Sequence, residues 1–486
     1  MWTPDLALLD ALPSPGVLGV LEAAWVVAAS CWILLERRSP TATLAWILAL
    51  AAMPVVGVAV YLVVGPRRLD RKKLRLNVLK RARGAYLEAW DRATARDLSS
   101  MGQLARLAIR LQAPPPETAR TVVLFSEGDD HFEALERDLA AARHHVHVEM
   151  YIFERDRTGA RVLAALAAAA RRGVQVRLLV DDAGSPRLGA ALLAPLREAG
   201  GEVERFNPML VSRLRGGSAN FRTHRKIVVC DGRVGFTGGM NVSDDQSAAA
   251  VGRSAWRDTT VRIEGAAVHG LQLTFLENWA FATGKTGSPL PAGGLRPYFP
   301  DEPPGSHEVQ IVPSGPDQDT STVGQLHVAA IGGARERVWI TTPYFVPDEA
   351  MLAALTSAAL RGVDVRLLLP RRTDSRVVDA ASRTYHDALL AAGARIWLYG
   401  PRMLHAKTCL VDQDVGMIGT ANLDNRSLRL NFEVTAVLYG APAVQALAEL
   451  FERDLEVARP KTTREADAPF LSRLGASAAR LLAPQL

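Results

Sequence analysis

One motif occurs twice in this chain, and a motif duplicated in duplicated surroundings admits few folds. The first copy reads His224-Arg-Lys226, four residues, Asp231, six residues, then Gly238-Gly239-Met-Asn241. The second reads His405-Ala-Lys407, four residues, Asp412, six residues, then Gly419-Thr420-Ala-Asn422. Both run through strand-like sequence (KIVVCD and KTCLVD), so His and Lys two positions apart face the same side of a strand. A nucleophile or base thus sits beside a fixed ammonium. The glycines let backbone approach a bulky anion, and the Asn offers it an amide donor. The chain has 50 Arg and only 7 Lys, yet both motif positions hold Lys. The compact, desolvable ammonium is not interchangeable with a guanidinium at a tight phosphoryl site.

The surroundings repeat too. HVEMYIF (147–153), an Ala-rich helical run and GVQVRLLV (173–180) are echoed by RVWITTPYF (337–345), a helical run and GVDVRLLL (362–369). AGGEVERF (199–206) is echoed by AGARIWLY (392–399). Short β-branched runs alternating with Ala/Leu-rich helices indicate an α/β body with two equivalent halves. Between them, 284–306 holds eleven Pro or Gly in 23 residues and reads as a linker. The expected layout is an N-terminal hairpin (1–66), a basic segment and linker (67–118), a first half (119–285), a linker (286–306), a second half (307–460) and a C-terminal tail (461–486).

Two apolar runs precede the body: 17–35 with Glu22 as its one charge, and 43–64 with none. Each has the length of a membrane-spanning helix. A cleaved signal peptide does not explain the second run, and residues 1–16 contain no Lys or Arg. Directly after the second run, 67–83 holds nine Arg/Lys and one Asp. The positive-inside rule then puts the N-terminus and the body in the cytoplasm, with the basic cluster against anionic lipid headgroups. Of a net charge of +6, this cluster accounts for +8, leaving the rest at −2, which argues against a broad basic face for nucleic acid. Three cysteines are too few and scattered for a disulfide framework; Cys230 and Cys409 read as small strand residues. His144, His145 and His147 lack further ligands nearby, so no metal is expected.

The duplicated His-Lys-Asp motif resembles the mark of the phospholipase D superfamily. With RRSPTATLAWILALAAMPVVG, SGPD (314–317), TTPYFVPD (341–348) and NLDNRSLRLNFE (422–433), the whole chain is similar to its bacterial cardiolipin synthases. The resemblance implies an α/β fold of two phospholipase D-like halves with pseudo-two-fold symmetry, preceded by a two-helix transmembrane hairpin, in the bacterial inner membrane. It implies transfer of a phosphatidyl group between two phosphatidylglycerol molecules with release of glycerol, without a cofactor. A hydrolase, or a transphosphatidylase with another alcohol, shares the motif.

It further implies one composite site: His224 as nucleophile and His405 as acid/base, the motif symmetry leaving that order reversible. Lys226, Lys407, Asn241 and Asn422 would hold the non-bridging oxygens. Gly239, where the family usually has Ser, predicts one hydrogen bond lost near the phosphate, whereas Thr420 keeps a hydroxyl. Asp258 and Glu433, 34 and 28 residues past the histidine of their own half, are the expected orienting carboxylates. Asp231 and Asp412 belong to the motif but are expected to brace the turn at the strand end. Two loops before the motifs, 207–217 with Met209, Leu210, Val211, Arg213 and Arg215, and Arg402-Met403-Leu404, mix apolar and basic residues and are expected to dip into the headgroup layer.

Overall fold

The computed structural model describes residues 15–35, 40–53, 56–57, 60–61, 102–208, 220–283, 294–318 and 320–485. The basic cluster 67–83 and the loop residues 209–217 lie outside them. The chain forms two compact units, Met1–Arg67 with Ser212–Asn220, and the remainder.

In the first unit, helices span Pro15–Leu35 and Pro40–Ala52. Ala29, Ile33, Leu50 and Tyr61 pack together, with the Tyr61 ring edge-on to Trp46 at 4.9 Å. Outside that small cluster many of the described side chains are apolar and exposed, among them Val27, Leu34, Leu35, Leu44 and Leu48. Among the described residues no helix is long and apolar enough to cross a membrane. The second helix has 13 residues, about 20 Å of rise.

In the second unit, each half is one sheet, and the two sheets share a seven-strand order. In the first half the spatial order is Thr121–Phe125, Thr260–Glu264, Val234–Gly238, Ile227–Cys230, His145–Met150, Gln175–Asp181 and Glu202–Phe206. In the second it is His307–Ser314, Glu433–Tyr439, Val415–Gly419, Thr408–Val411, Arg337–Thr341, Asp364–Pro370 and Arg395–Tyr399. That second sheet is extended at its two edges by Glu117–Ala119 and Ala458–Pro460. The last three strands of each series run parallel and are joined by crossover helices; the others pair antiparallel.

The inner strands of each sheet are buried on both faces, which explains their near-continuous apolar sequences. Val228 and Cys230 face the layer of helices Gly128–Ala141, Arg157–Arg171 and Ala190–Glu198, while Ile227 and Val229 face a core shared by both sheets. Cys409 and Leu410 divide in the same way in the second half. The shared core also takes Val268 and Leu271 from helix Val268–Thr283 and Val444 and Leu447 from helix Ala441–Glu456. It holds the halves face to face, so that the ends of their motif strands converge.

Candidate active site

Both motifs meet at that convergence, and main-chain pairing across the two halves brings them together. His224 N donates to Phe432 O (2.9 Å) and Phe432 N to Arg222 O (2.8 Å). In the mirror-image arrangement His405 N donates to Arg257 O (2.7 Å) and Arg257 N to Met403 O (2.8 Å). Each histidine therefore lies beside the residue that precedes the other half's carboxylate. His224 Nδ1 is 3.0 Å from the Glu433 carboxylate, and His405 Nδ1 is 2.6 Å from Asp258 Oδ2. This corrects the expected pairing within each half: the carboxylates are exchanged, because bridges Thr223 to Phe432 and Arg257 to Leu404 override proximity in sequence.

Carboxylates on Nδ1 fix the tautomer and leave Nε2 its lone pair. Glu433 and Asp258 are fully buried, and the two His and two Lys are each under a tenth exposed. Lys226 Nζ donates to His224 O at 2.8 Å; Lys407 Nζ donates to His405 O and lies 2.9 Å from its Nδ1.

Burial drives the titration of this cluster. It pushes the Lys226 ammonium down to about 7, with the Lys407 charge adding to the effect. It pushes Lys407 down to about 8 against the pull of Asp258 and Glu433. Burial takes His405 down to about 4 and also lowers His224, and each imidazole senses the lysines of both halves. For Asp258 and Glu433 burial acts upward, but the neighbouring lysine and histidine charges win and hold both carboxyls below the usual range. With no anion present, two neutral imidazoles thus face two weakened ammonium groups.

The residues after each motif are not equivalent. Thr420 Oγ1 donates to Glu433 and accepts from Val434 N at 3.0 Å, so its hydroxyl is occupied by the orienting carboxylate instead of facing a phosphate. At Gly239 an added Cβ would stand 2.0 Å from Asp258 Oδ1. The glycine is required because the shorter Asp258 fills the space a side chain would take. Asn241 and Asn422 are buried near the motifs, with Asn241 Oδ1 3.4 Å from Ile152 N and Asn422 Oδ1 without a hydrogen-bond partner.

Asp231 and Asp412 stand apart from the histidines. Asp231 accepts from the backbone N–H of Arg143, His144 and His145, and Asp412 from those of Arg335, Glu336 and Arg337. Both hold left-handed backbone, φ 56° and 51°, at the turn after the motif strand. His145 and His147 are tied to Gln272 at 2.9 and 2.8 Å, and among the described residues no cluster of His, Cys, Asp or Glu could hold a metal. Leu404 is fully buried in the shared core, whereas Arg402, paired with Glu127, and Met403 keep partial exposure.

Sequence reasoning missed the aromatic walls. Tyr151 lies 4.7 Å from the His224 ring and Trp256 5.0 Å from that of His405, while Tyr344 approaches His405 at 6.5 Å. The tyrosines of MYIF and TPYF, echoed between the halves, were the available signal. Equally unforeseen is Arg257, whose bidentate pair with Asp454 (2.9 and 2.7 Å) anchors the segment that carries Asp258.

A family model described as "Cardiolipin synthase, PLD-like domain" matches residues 135–268 and 328–455, one stretch in each half. The chain belongs to the cardiolipin synthase family of the phospholipase D superfamily. A second model, a phospholipase D-nuclease N-terminal segment, matches 23–66. Cardiolipin synthase 1 of Bacillus anthracis is 39% identical over 450 residues, covering 90% of this chain and 88% of the relative. Cardiolipin synthase of Geobacillus kaustophilus is 38% identical over 483 residues, covering 97% and 94%. Among solved structures, phosphatidylserine synthase of Haemophilus influenzae aligns with a TM-score of 0.59 at 12% identity, over 79% of this chain and all of that one, a likeness of fold.

Proposed function

We propose that this protein is a cardiolipin synthase that moves a phosphatidyl group from one phosphatidylglycerol to another. The observation that carries the reading is the crossed pair of buried His–carboxylate dyads set among two lysines. Nε2 of His224 attacks the phosphorus of the donor lipid, forming a P–N bond as the P–O bond to glycerol breaks. His405 gives its proton to the departing glycerol oxygen. In the second step the acceptor's glycerol hydroxyl loses its proton to His405 and attacks phosphorus, and the P–N bond breaks. Lys226, Lys407, Asn241 and Asn422 hold the non-bridging oxygens where charge builds. The incoming phosphodiester anion restores the proton affinity that burial removes from His405 and the lysines. The exchange of roles between His224 and His405 is the alternative assignment.

The runs 17–35 and 43–64 are proposed as a membrane hairpin that delivers the body to its lipid substrate from the cytoplasmic side. Supporting this are the exposed apolar side chains of the two described helices and the basic segment that follows them. The test uses purified protein in vesicles with labelled phosphatidylglycerol as sole lipid substrate, in EDTA. The expected products are cardiolipin and glycerol in equal amounts. Phosphatidic acid alone would make the enzyme a hydrolase, and total loss of activity with rescue by a divalent cation would overturn the chemistry.

A further inference from the structure

Beside the second half's sheet lies a cavity of about 540 Å³ that the histidine dyads do not use. It opens between the end of strand Asp364–Pro370, helix Arg376–Ala391 and Lys461, and its lining includes Arg371, Arg372, Arg376, Arg383 and Lys461. One carboxylate, Asp379, shares the lining, and its oxygens accept from Thr373 N at 3.1 and 3.2 Å. Glu465 serves both Lys461 (3.1 Å) and Arg383 (3.5 Å). Arg371, Arg372 and Arg376 are exposed and form no ion pair among the described residues. His386 is buried in the cavity wall, 3% exposed, with its Nδ1 lacking any partner.

The first half supplies an internal control. By the repeat, Pro370-Arg371-Arg372 corresponds to Asp181-Asp182-Ala183. There Asp181 is buried and binds backbone N–H groups, and Asp182 is neutralised by Arg205 at 2.6 Å. The same place in the fold is thus satisfied internally in one half and left with unpaired guanidinium groups in the other. Arg371 and Arg372 also line an adjoining cavity of about 310 Å³ that reaches Trp256, the ring set against His405.

We propose that the Arg371–Arg376 cavity is a second phosphate-binding site, separate from the phosphate at the histidines, which takes a phosphate mono- or diester through guanidinium forks. Three guanidinium groups without an ion pair, beside Arg383 and Lys461 that share Glu465, select an anion over a zwitterion or a sugar. The phosphate can come from a lipid headgroup or from a free phosphate ester.

Calorimetric titration of the full chain in neutral detergent, with inorganic phosphate, sn-glycerol 3-phosphate and dihexanoyl phosphatidylglycerol, tests this. In wild type we expect two binding events per chain for at least one of these. The R372Q/R376Q double variant should weaken one of the two by about tenfold or more, and R372K/R376K, which keeps the charges but not the forks, should recover only part of that loss. Loss for all three ligands identifies the phosphate itself as the determinant, and loss for phosphatidylglycerol alone identifies a lipid headgroup. S382W, which fills the cavity without removing a charge, should reproduce the loss if the Gln variant melts lower than wild type. A single binding event in wild type, or identical titrations of wild type, R372Q/R376Q and S382W, would overturn the proposal. These binding measurements stand apart from the transfer assay, so either can fail without the other.

Discussion

The two halves share seven strands in the same spatial order, the same motif spacing and the same brace at Asp231 and Asp412, yet their catalytic ends are built from different parts. One dyad uses a long carboxylate, Glu433, backed by the Thr420 hydroxyl; the other uses a short one, Asp258, backed by the bare backbone of Gly239. Duplication supplied the scaffold, and the residues near phosphorus then diverged. A site formed from two copies can assign the two histidines different tasks only if their surroundings differ. The crossing of the dyads means that each half's divergence is felt by the other half's histidine.

The largest effect expected is from H224A and H405A, each lowering cardiolipin formation by about three orders of magnitude or more, since a covalent step and a proton transfer are lost. Turnover, with mapping of an acid-labile phosphoryl group after trapping with labelled lipid, checks this. The adduct should appear on His224 in wild type; an adduct on His405 would reverse the roles of the halves.

Next in size, E433Q and D258N should each reduce turnover by about 10² to 10³, because the amide no longer holds the tautomer or stabilises the imidazolium. The crossed pairing makes these two separable. D258N acts on His405, so its defect should shrink on a substrate whose leaving group needs no proton, whereas that of E433Q should persist. If the opposite variant were rescued, the dyads or the histidine roles would be exchanged.

A third outcome concerns protons. Lys226, lowered to about 7 and Lys407, to about 8, are largely or partly neutral at pH 8.5 in the empty site, and a bound phosphate anion favours their charged forms. Anion binding at pH 8.5 should therefore take up about one proton or more. At pH 6, below both values, the lysine contribution should vanish. Calorimetry in buffers of different ionisation enthalpy reads the number directly, and K226M should remove most of the uptake.

The smallest effects test the carboxylate supports. G239S should displace Asp258 and cost about tenfold in turnover, while T420V, which removes one hydrogen bond from Glu433, should cost a few-fold. Both are read as kcat with KM little changed. Gain of activity in G239S would mean that the serine finds a partner other than Asp258.

Much of this was legible in the sequence because it is local or repetitive. The motif strands, the His–Lys spacing and the helices between strands follow from periodicity and from comparing one half with the other. The bracing role of Asp231 and Asp412 was likewise readable, since Asp at the end of a strand tolerates left-handed backbone and accepts from nearby backbone N–H groups. Which carboxylate serves which histidine was not, because sequence distance favoured the pairing within each half. The burial of Leu404 was equally hidden: an apolar residue next to a basic one has the same pattern whether it meets lipid or core.

By itself, then, the sequence determined the elements and the chemical types at the site, since strand alternation and residue identity are properties of short stretches. The tertiary structure alone decided the exchange of Asp258 and Glu433, the occupation of the Thr420 hydroxyl and the unpaired arginines at 371–376. Each depends on what lies opposite in space, and the dyads join residues 209 and 147 positions apart.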